Sequence, residues 1–158
     1  MRTADDWSEL AALFRRLMPV AHLATTRPLG RHYDVVITEG GPVGDELLRL
    51  MDVLPGGCGP VIADAGRPVL RWVVPPGTGS WWHSRYGTCL SAPRSIPFPP
   101  LCNEKPEGLY WLRPFRADRR VEPEELAAAL DAVRPSRDTH RELAGFRDLP
   151  GAAVEEQG

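Results

Sequence analysis

Apolar positions recur along the chain with two periods, and the switches between them mark the elements. Trp7, Leu10, Ala11, Phe14, Leu17 and Met18 fall at helical spacing and form one face. Asp5 or Asp6 caps this helix and Pro19 ends it, with Arg15 and Arg16 left in solvent. Residues 19–31 contain Thr25, Thr26, Pro28 and Gly30 and read mostly as loop, with a short strand near Val20–Ala24. Tyr33–Thr38 is a β-branched run that predicts a strand, closed by Gly40-Gly41-Pro42. A helix is expected from Val43 to Leu54, with Val43, Leu47, Leu50, Met51 and Leu54 on one face, broken by Pro55-Gly56-Gly57.

Gly59 to Gly77 is the stretch around which the rest is organised. Two apolar runs, Val61–Ala63 and Val69–Val74, flank Asp64-Ala65-Gly66-Arg67 and predict a β-hairpin. Asp can bond its own backbone in such a turn, and Gly tolerates positive φ. Val and Trp suit a pleated, half-buried surface, and Pro75-Pro76-Gly77 stops the second strand. Thr78–Ser84 is a loop holding Trp81 and Trp82. Aromatic faces there can stack on bases; equally, one Trp can close a core edge while the other lies on the surface. Tyr86–Ala92 and Gly108–Pro114 read as further strands, joined by a proline-rich loop over 93–106. Glu122-Pro123-Glu124-Glu125 starts a helix that Pro135 closes, with Leu126, Ala129, Leu130 and Val133 inward. Arg137–Ala144 predicts a short helix ended by Gly145.

These elements imply an α+β fold in a single domain over 1–149. It has a mixed or antiparallel central sheet, a core β-hairpin and about three to four packing helices. Residues 150–158 read as a disordered tail. At 158 residues the chain is long enough for one core, and its 42% hydrophobic and 25% charged content is ordinary for a soluble domain. The 17 Pro and 15 Gly predict many loops. No apolar run reaches membrane-spanning length, and the acidic start M-R-T-A-D-D-W lacks a signal-peptide core, so a cytoplasmic protein with no membrane partner is expected. Cys58, Cys89 and Cys102 form neither an even disulfide framework nor a metal pair.

Net charge is −2, against a general nucleic-acid coat, but it is unevenly spread. Residues 85–120 carry seven basic and three acidic side chains, and residues 121–158 carry four and nine. The basic middle can present one positive face or simply be solvated surface. Motifs for a nucleophile elbow, a catalytic Cys or a phosphate-cradling loop do not occur. The one metal-like spacing is His32-Tyr33-Asp34: on a strand, residues 32 and 34 share a face, where His and Asp can share an ion.

Four segments in order, R-H-Y-D-V-V-I-T, A-G-R-P-V-L-R-W-V-V-P-P-G, Y-G-T-C-L-S-A-P-R-S and G-L-Y-W-L-R-P, carry a resemblance over residues 31–133. Their layout resembles the primase–polymerase domain of the archaeo-eukaryotic primase superfamily, especially the actinobacterial bifunctional DNA primase/polymerase N-terminal form, a DNA-replication family. The resemblance implies a metal-bearing strand followed by a helix, then a nucleotide-contacting hairpin turn and a later acidic ligand. Gly66 and Arg67 match the nucleotide-contacting turn, whose His position falls on Pro68. His32 and Asp34 stand in the two metal positions; in the other register Asp34 comes first and Val36 second. The later acidic ligand falls around Trp82–Ser84, where no carboxylate stands. Two-ion phosphoryl transfer needs bridging carboxylates, so the expectation leans away from an enzyme.

Three readings follow. The first is a catalytically depleted accessory module that binds single-stranded DNA or nucleotide, with Arg67, Arg71, Arg85 and Arg94 near phosphates. The second is a regulatory scaffold with a filled groove that binds another protein. The third is an active nucleotidyltransferase using Mg²⁺ or Mn²⁺ at His32 and Asp34. The candidate site is Asp34, Arg67, Gly66 and His32, with Arg71 as an outer phosphate contact. An open cleft shared by Asp34 and Arg67 separates the first and third from the second, as does a sheet face filled by Trp72, Trp111 or Leu70. A buried Asp34 satisfied by backbone amides is the plain structural alternative.

Overall fold

A computed structural model describes residues 25–135. The helices expected at 5–18 and 137–144, the strand near 20–24 and the tail lie outside the described residues. The elements are β1 (Thr25–Pro28), β2 (Asp34–Glu39), α1 (Gly41–Asp52), β3 (Val61–Asp64), β4 (Arg67–Val74), β5 (Thr88–Leu90), β6 (Ser95–Phe98), β7 (Leu109–Arg113) and α2 (Pro123–Val133). The fold is α+β. Five strands form a sheet in the order β5-β2-β4-β3-β7, and β1 and β6 form a two-stranded ribbon. Every pairing between these strands is antiparallel.

β4 is the central strand and the longest, paired with β2 on one side and β3 on the other. Alternation along it sends Leu70, Trp72 and Val74 to one face and Val69 and Val73 to the other. The first face packs on α1 and α2 through Leu47, Met51, Leu126 and Leu130, all buried. The second packs under the ribbon, with Ile96 and Phe98 seated against Val35, Ile37, Ile62 and Trp111. Phe98 stacks on Tyr33 at 4.7 Å and meets Trp111 edge-on at 5.9 Å between centroids, geometries that aromatic quadrupoles favour. Trp72 donates its indole N–H to the Thr38 hydroxyl at 2.8 Å, so its polar end is satisfied inside the core.

The hairpin forms as expected, and its turn uses the Asp rather than a left-handed glycine. Asp64 Oδ1 accepts from the Gly66 N–H at 2.8 Å, and Gly66 is not among the positive-φ glycines. α1 begins two residues ahead of the expected start because Pro42 is accepted in its first turn. Gly44 allows this helix to lie close on the sheet: a Cβ there would stand 3.0 Å from Leu70 Cδ1 and 3.1 Å from the Glu39 carbonyl oxygen.

Three expectations are corrected. Residues 95–98 are strand, not loop: Ile96 and Phe98 alternate inward, and Pro97 is tolerated because each strand of a two-stranded ribbon keeps a free edge. Its partner β1 occupies 25–28, inside the stretch read mostly as loop. The strand expected over 86–92 shrinks to 88–90 because both flanks turn. The Gly87 carbonyl accepts from the Trp82 indole, and the Arg94 N–H closes a turn onto the Ser91 carbonyl.

Candidate functional site: an aromatic and arginine-lined cleft

The residues expected to form a nucleotide site lie in separate environments. Asp34 opens β2 and is fully buried. It pairs with Val74 at one end of β4, whereas Arg67 begins β4 at the other. Seven residues of extended chain separate these ends, about 23 Å at 3.3 Å per residue, so Asp34 and Arg67 do not share a cleft. His32 precedes the strand in an exposed bend, so strand alternation does not set it beside Asp34. Its carbonyl accepts from Arg120 Nε at 3.2 Å. Among the described residues, no three His, Cys, Asp or Glu side chains gather to hold a metal ion.

Arg71 follows the parity of Val69 and Val73 and is buried between Ile37 and Ile62, its neighbours across the sheet. Its guanidinium lies 3.9 Å from Asp64 Oδ2. Burial pulls its pKa down to about 10, with the Asp64 carboxylate acting the other way. It is a core charge, out of reach of a phosphate. Arg67 and Gly66 sit exposed at the turn. Arg67 borders a cavity of about 200 Å³ beside Gly40, Gly41 and Tyr110. Asp45 and Asp64 line it too, so its charge is not that of an anion site. Both faces of the sheet are filled, with Trp72, Trp111 and Leu70 all buried.

The open, chemically varied concavity is elsewhere. A cleft of about 720 Å³ lies between the loop 81–86 and α2, lined by Trp81, Trp82, His83, Arg85, Asp131 and Arg134, among others. A short 3₁₀ turn over Thr78–Ser80 launches the loop, and Thr78 holds it: its carbonyl accepts from the N–H groups of Trp81 and Trp82 at 3.2 and 3.0 Å. The two indoles are tilted at 48° with centroids 6.3 Å apart. Trp82 is half-buried against the core and donates to the Gly87 carbonyl at 3.0 Å. Trp81 is 39% exposed, so part of its indole is open to solvent. Arg85 stands with its guanidinium carbon 5.2 Å from the Tyr86 ring centroid and Nη2 3.2 Å from its hydroxyl.

The far wall is the C-terminal end of α2. Pro135 prevents the helix from continuing, and Arg134 adopts a left-handed conformation (φ 51°) that satisfies the Leu130 carbonyl at 2.8 Å. This conformation is uncommon for a side chain with a Cβ. Arg134 Nε donates to the Asp131 carbonyl at 3.2 Å. Two arginines and an exposed indole thus border one cleft, with Asp131 as its single carboxylate among the described residues.

The tryptophan pair is visible in the sequence; the contribution of α2 is not, because Ala127, Asp131 and Arg134 lie more than forty residues downstream. Of the four arginines expected near phosphates, Arg85 alone lines this cleft, while Arg94 lies in the exposed turn before β6. No family model, curated protein or solved structure matches the chain.

Proposed function

We propose that the protein is a non-catalytic module that binds single-stranded nucleic acid or nucleotide through the Trp81–Arg134 cleft rather than through the hairpin turn. The observation that carries this is an exposed Trp81 indole that lines the same cleft of about 720 Å³ as Arg85 and Arg134. Sequence-tolerant binding of single strands uses aromatic faces for bases together with positive groups for the backbone, and a volume of this order suits a small ligand. The excess of basic residues in 85–120 and the primase–polymerase resemblance over 31–133 support the same class of ligand.

The absence of nucleotide addition in this reading rests on the carboxylates. Two-ion phosphoryl transfer needs acids that bridge both ions. Asp34, the one acid in the family's metal positions, is sealed in the core and accepts a backbone N–H. A second reading, a scaffold that docks another protein, is favoured by the filled sheet faces, which leave no groove across the sheet itself.

Fluorescence anisotropy with a labelled single-stranded oligodeoxythymidylate, and calorimetry with a deoxynucleoside triphosphate, test the proposal. Saturable binding that weakens at higher salt is expected. Replacement of a stacked aromatic costs about 1–3 kcal/mol per base, so Trp81→Ala should weaken it roughly five- to a hundredfold. Folded protein that binds neither probe would leave the scaffold reading in place.

A further inference from the structure

We infer that Asp34 is a positioning residue for the tryptophan cleft: a buried carboxylate that fixes the loop carrying Trp81 and Trp82. The inference rests on the cleft reading for its functional consequence and on geometry alone for the tether. Asp34 is completely buried, and its Oδ2 accepts the Gly79 N–H at 3.0 Å across 45 residues of sequence. Oδ1 has no hydrogen-bond partner among the described residues. A carboxylate taken out of water with one oxygen bare is a costly arrangement. The bond that Oδ2 makes is therefore what the residue contributes.

Gly79 sits in the middle of the 3₁₀ turn, between Thr78, whose carbonyl holds the Trp81 and Trp82 amides, and the tryptophans themselves. Thr78 is itself buried, its hydroxyl donating to the Pro75 carbonyl at 2.6 Å. Gly79 lies so close to Ser91, the residue after β5, that a side chain would not fit without a shift. A Cβ there would lie 2.6 Å from Ser91 Oγ, 2.9 Å from Ser91 Cβ and 3.5 Å from Asp34 Oδ2. The first residue of β2, the end of β5 and the turn thus clamp together, and the indoles hang from that clamp. Loss of the Asp34 acceptor frees Gly79 and lets the loop leave the geometry in which Trp81 lines one cleft with Arg85 and Arg134.

The test separates the tether from the ligand. Hydrogen exchange of the free protein, resolved over 78–82, reads the tether. Anisotropy with labelled oligodeoxythymidylate reads its consequence. Asp34→Ala should lose most of the protection over 78–82 and bind at least tenfold more weakly. Asp34→Asn, which keeps an acceptor oxygen of the same shape, should retain protection and bind within about threefold of the native protein. Gly79→Ala, which leaves Asp34 untouched, should reproduce the alanine effect and serves where Asp34→Ala does not fold. The inference is overturned if 78–82 exchanges unchanged in both alanine variants, or if Asp34→Asn loses binding as fully as Asp34→Ala. The second result would make the charge, not the acceptor, the essential feature. If exchange responds as expected while the native protein binds no probe, the tether stands and the nucleic-acid reading falls.

Discussion

Both the hairpin and the cleft bring arginine and a carboxylate into one neighbourhood, and the outcome differs. At the hairpin, Arg71 and Asp64 face each other at 3.9 Å with Arg71 buried, and Asp64 is further engaged by the Gly66 amide. At the cleft, Arg85, Arg134 and Asp131 are exposed, and an exposed indole lies among them. The hairpin charges are committed to the fold; those of the cleft face solvent, where a ligand can reach them. The lesson is that a candidate site residue read from sequence says little until its burial is known. Arg71, expected as an outer phosphate contact, and Asp34, expected as a metal ligand, are core residues in space.

The contrast can be broken by substitution, and the largest effect belongs to the sheet. Trp72→Ala removes a fully buried aromatic and leaves the Thr38 hydroxyl without its indole donor. About 3–5 kcal/mol of stability should be lost, as for other large-to-small core changes. Urea unfolding checks it, and a loss below about 1 kcal/mol would mean that the core is not organised as described.

Alkaline pH gives the next effect. Burial pushes the Cys58 and Cys89 thiols up from about 9 to about 12, helped by the carboxylates of Asp52 and Asp34 respectively. The folded chain therefore holds two protons that the unfolded chain releases near pH 9. Stability is fully present below pH 9 and falls as pH rises toward 12. At about 1.4 kcal/mol per unit per group, the loss between pH 8 and 10 should be about 1–3 kcal/mol. The double change Cys58→Ala, Cys89→Ala should flatten the slope. Above pH 10 the lowered pKa of Arg71 works in the opposite direction, because the folded state then sheds a proton the unfolded state keeps.

Asp64→Ala comes third. It deletes the turn bond to Gly66 and removes the carboxylate facing the buried Arg71 guanidinium, at an expected cost of about 1–3 kcal/mol. Affinity for single strands should be unchanged, since Asp64 is not part of the cleft. A parallel loss of binding would merge the two regions that are held apart here.

The elements legible in the sequence are those whose signals are local. β2, β3, β4 and β7 carry β-branched or aromatic runs closed by Gly or Pro, and α1 and α2 carry a 3.6-residue period with Pro near their starts. β6 escaped because Pro97, Pro99 and Pro100 mask a four-residue alternation whose partner, β1, lies about seventy residues away. The proposed Asp34–Arg67 site failed for a related reason. Order along the chain placed the two residues in adjacent strands, but the β2–β4 register put them at opposite ends. Trp81 and Trp82 stood out as a pair; their wall from α2 required the tertiary fold.

The smallest effect on stability should come from Trp81→Ala, because a 39% exposed indole supports little of the core. The same substitution is the most direct test of the cleft as a binding surface. Anisotropy of labelled oligodeoxythymidylate should show affinity reduced roughly five- to a hundredfold with the unfolding midpoint unmoved. Native-like affinity in Trp81→Ala would contradict the assignment of this cleft to nucleic acid.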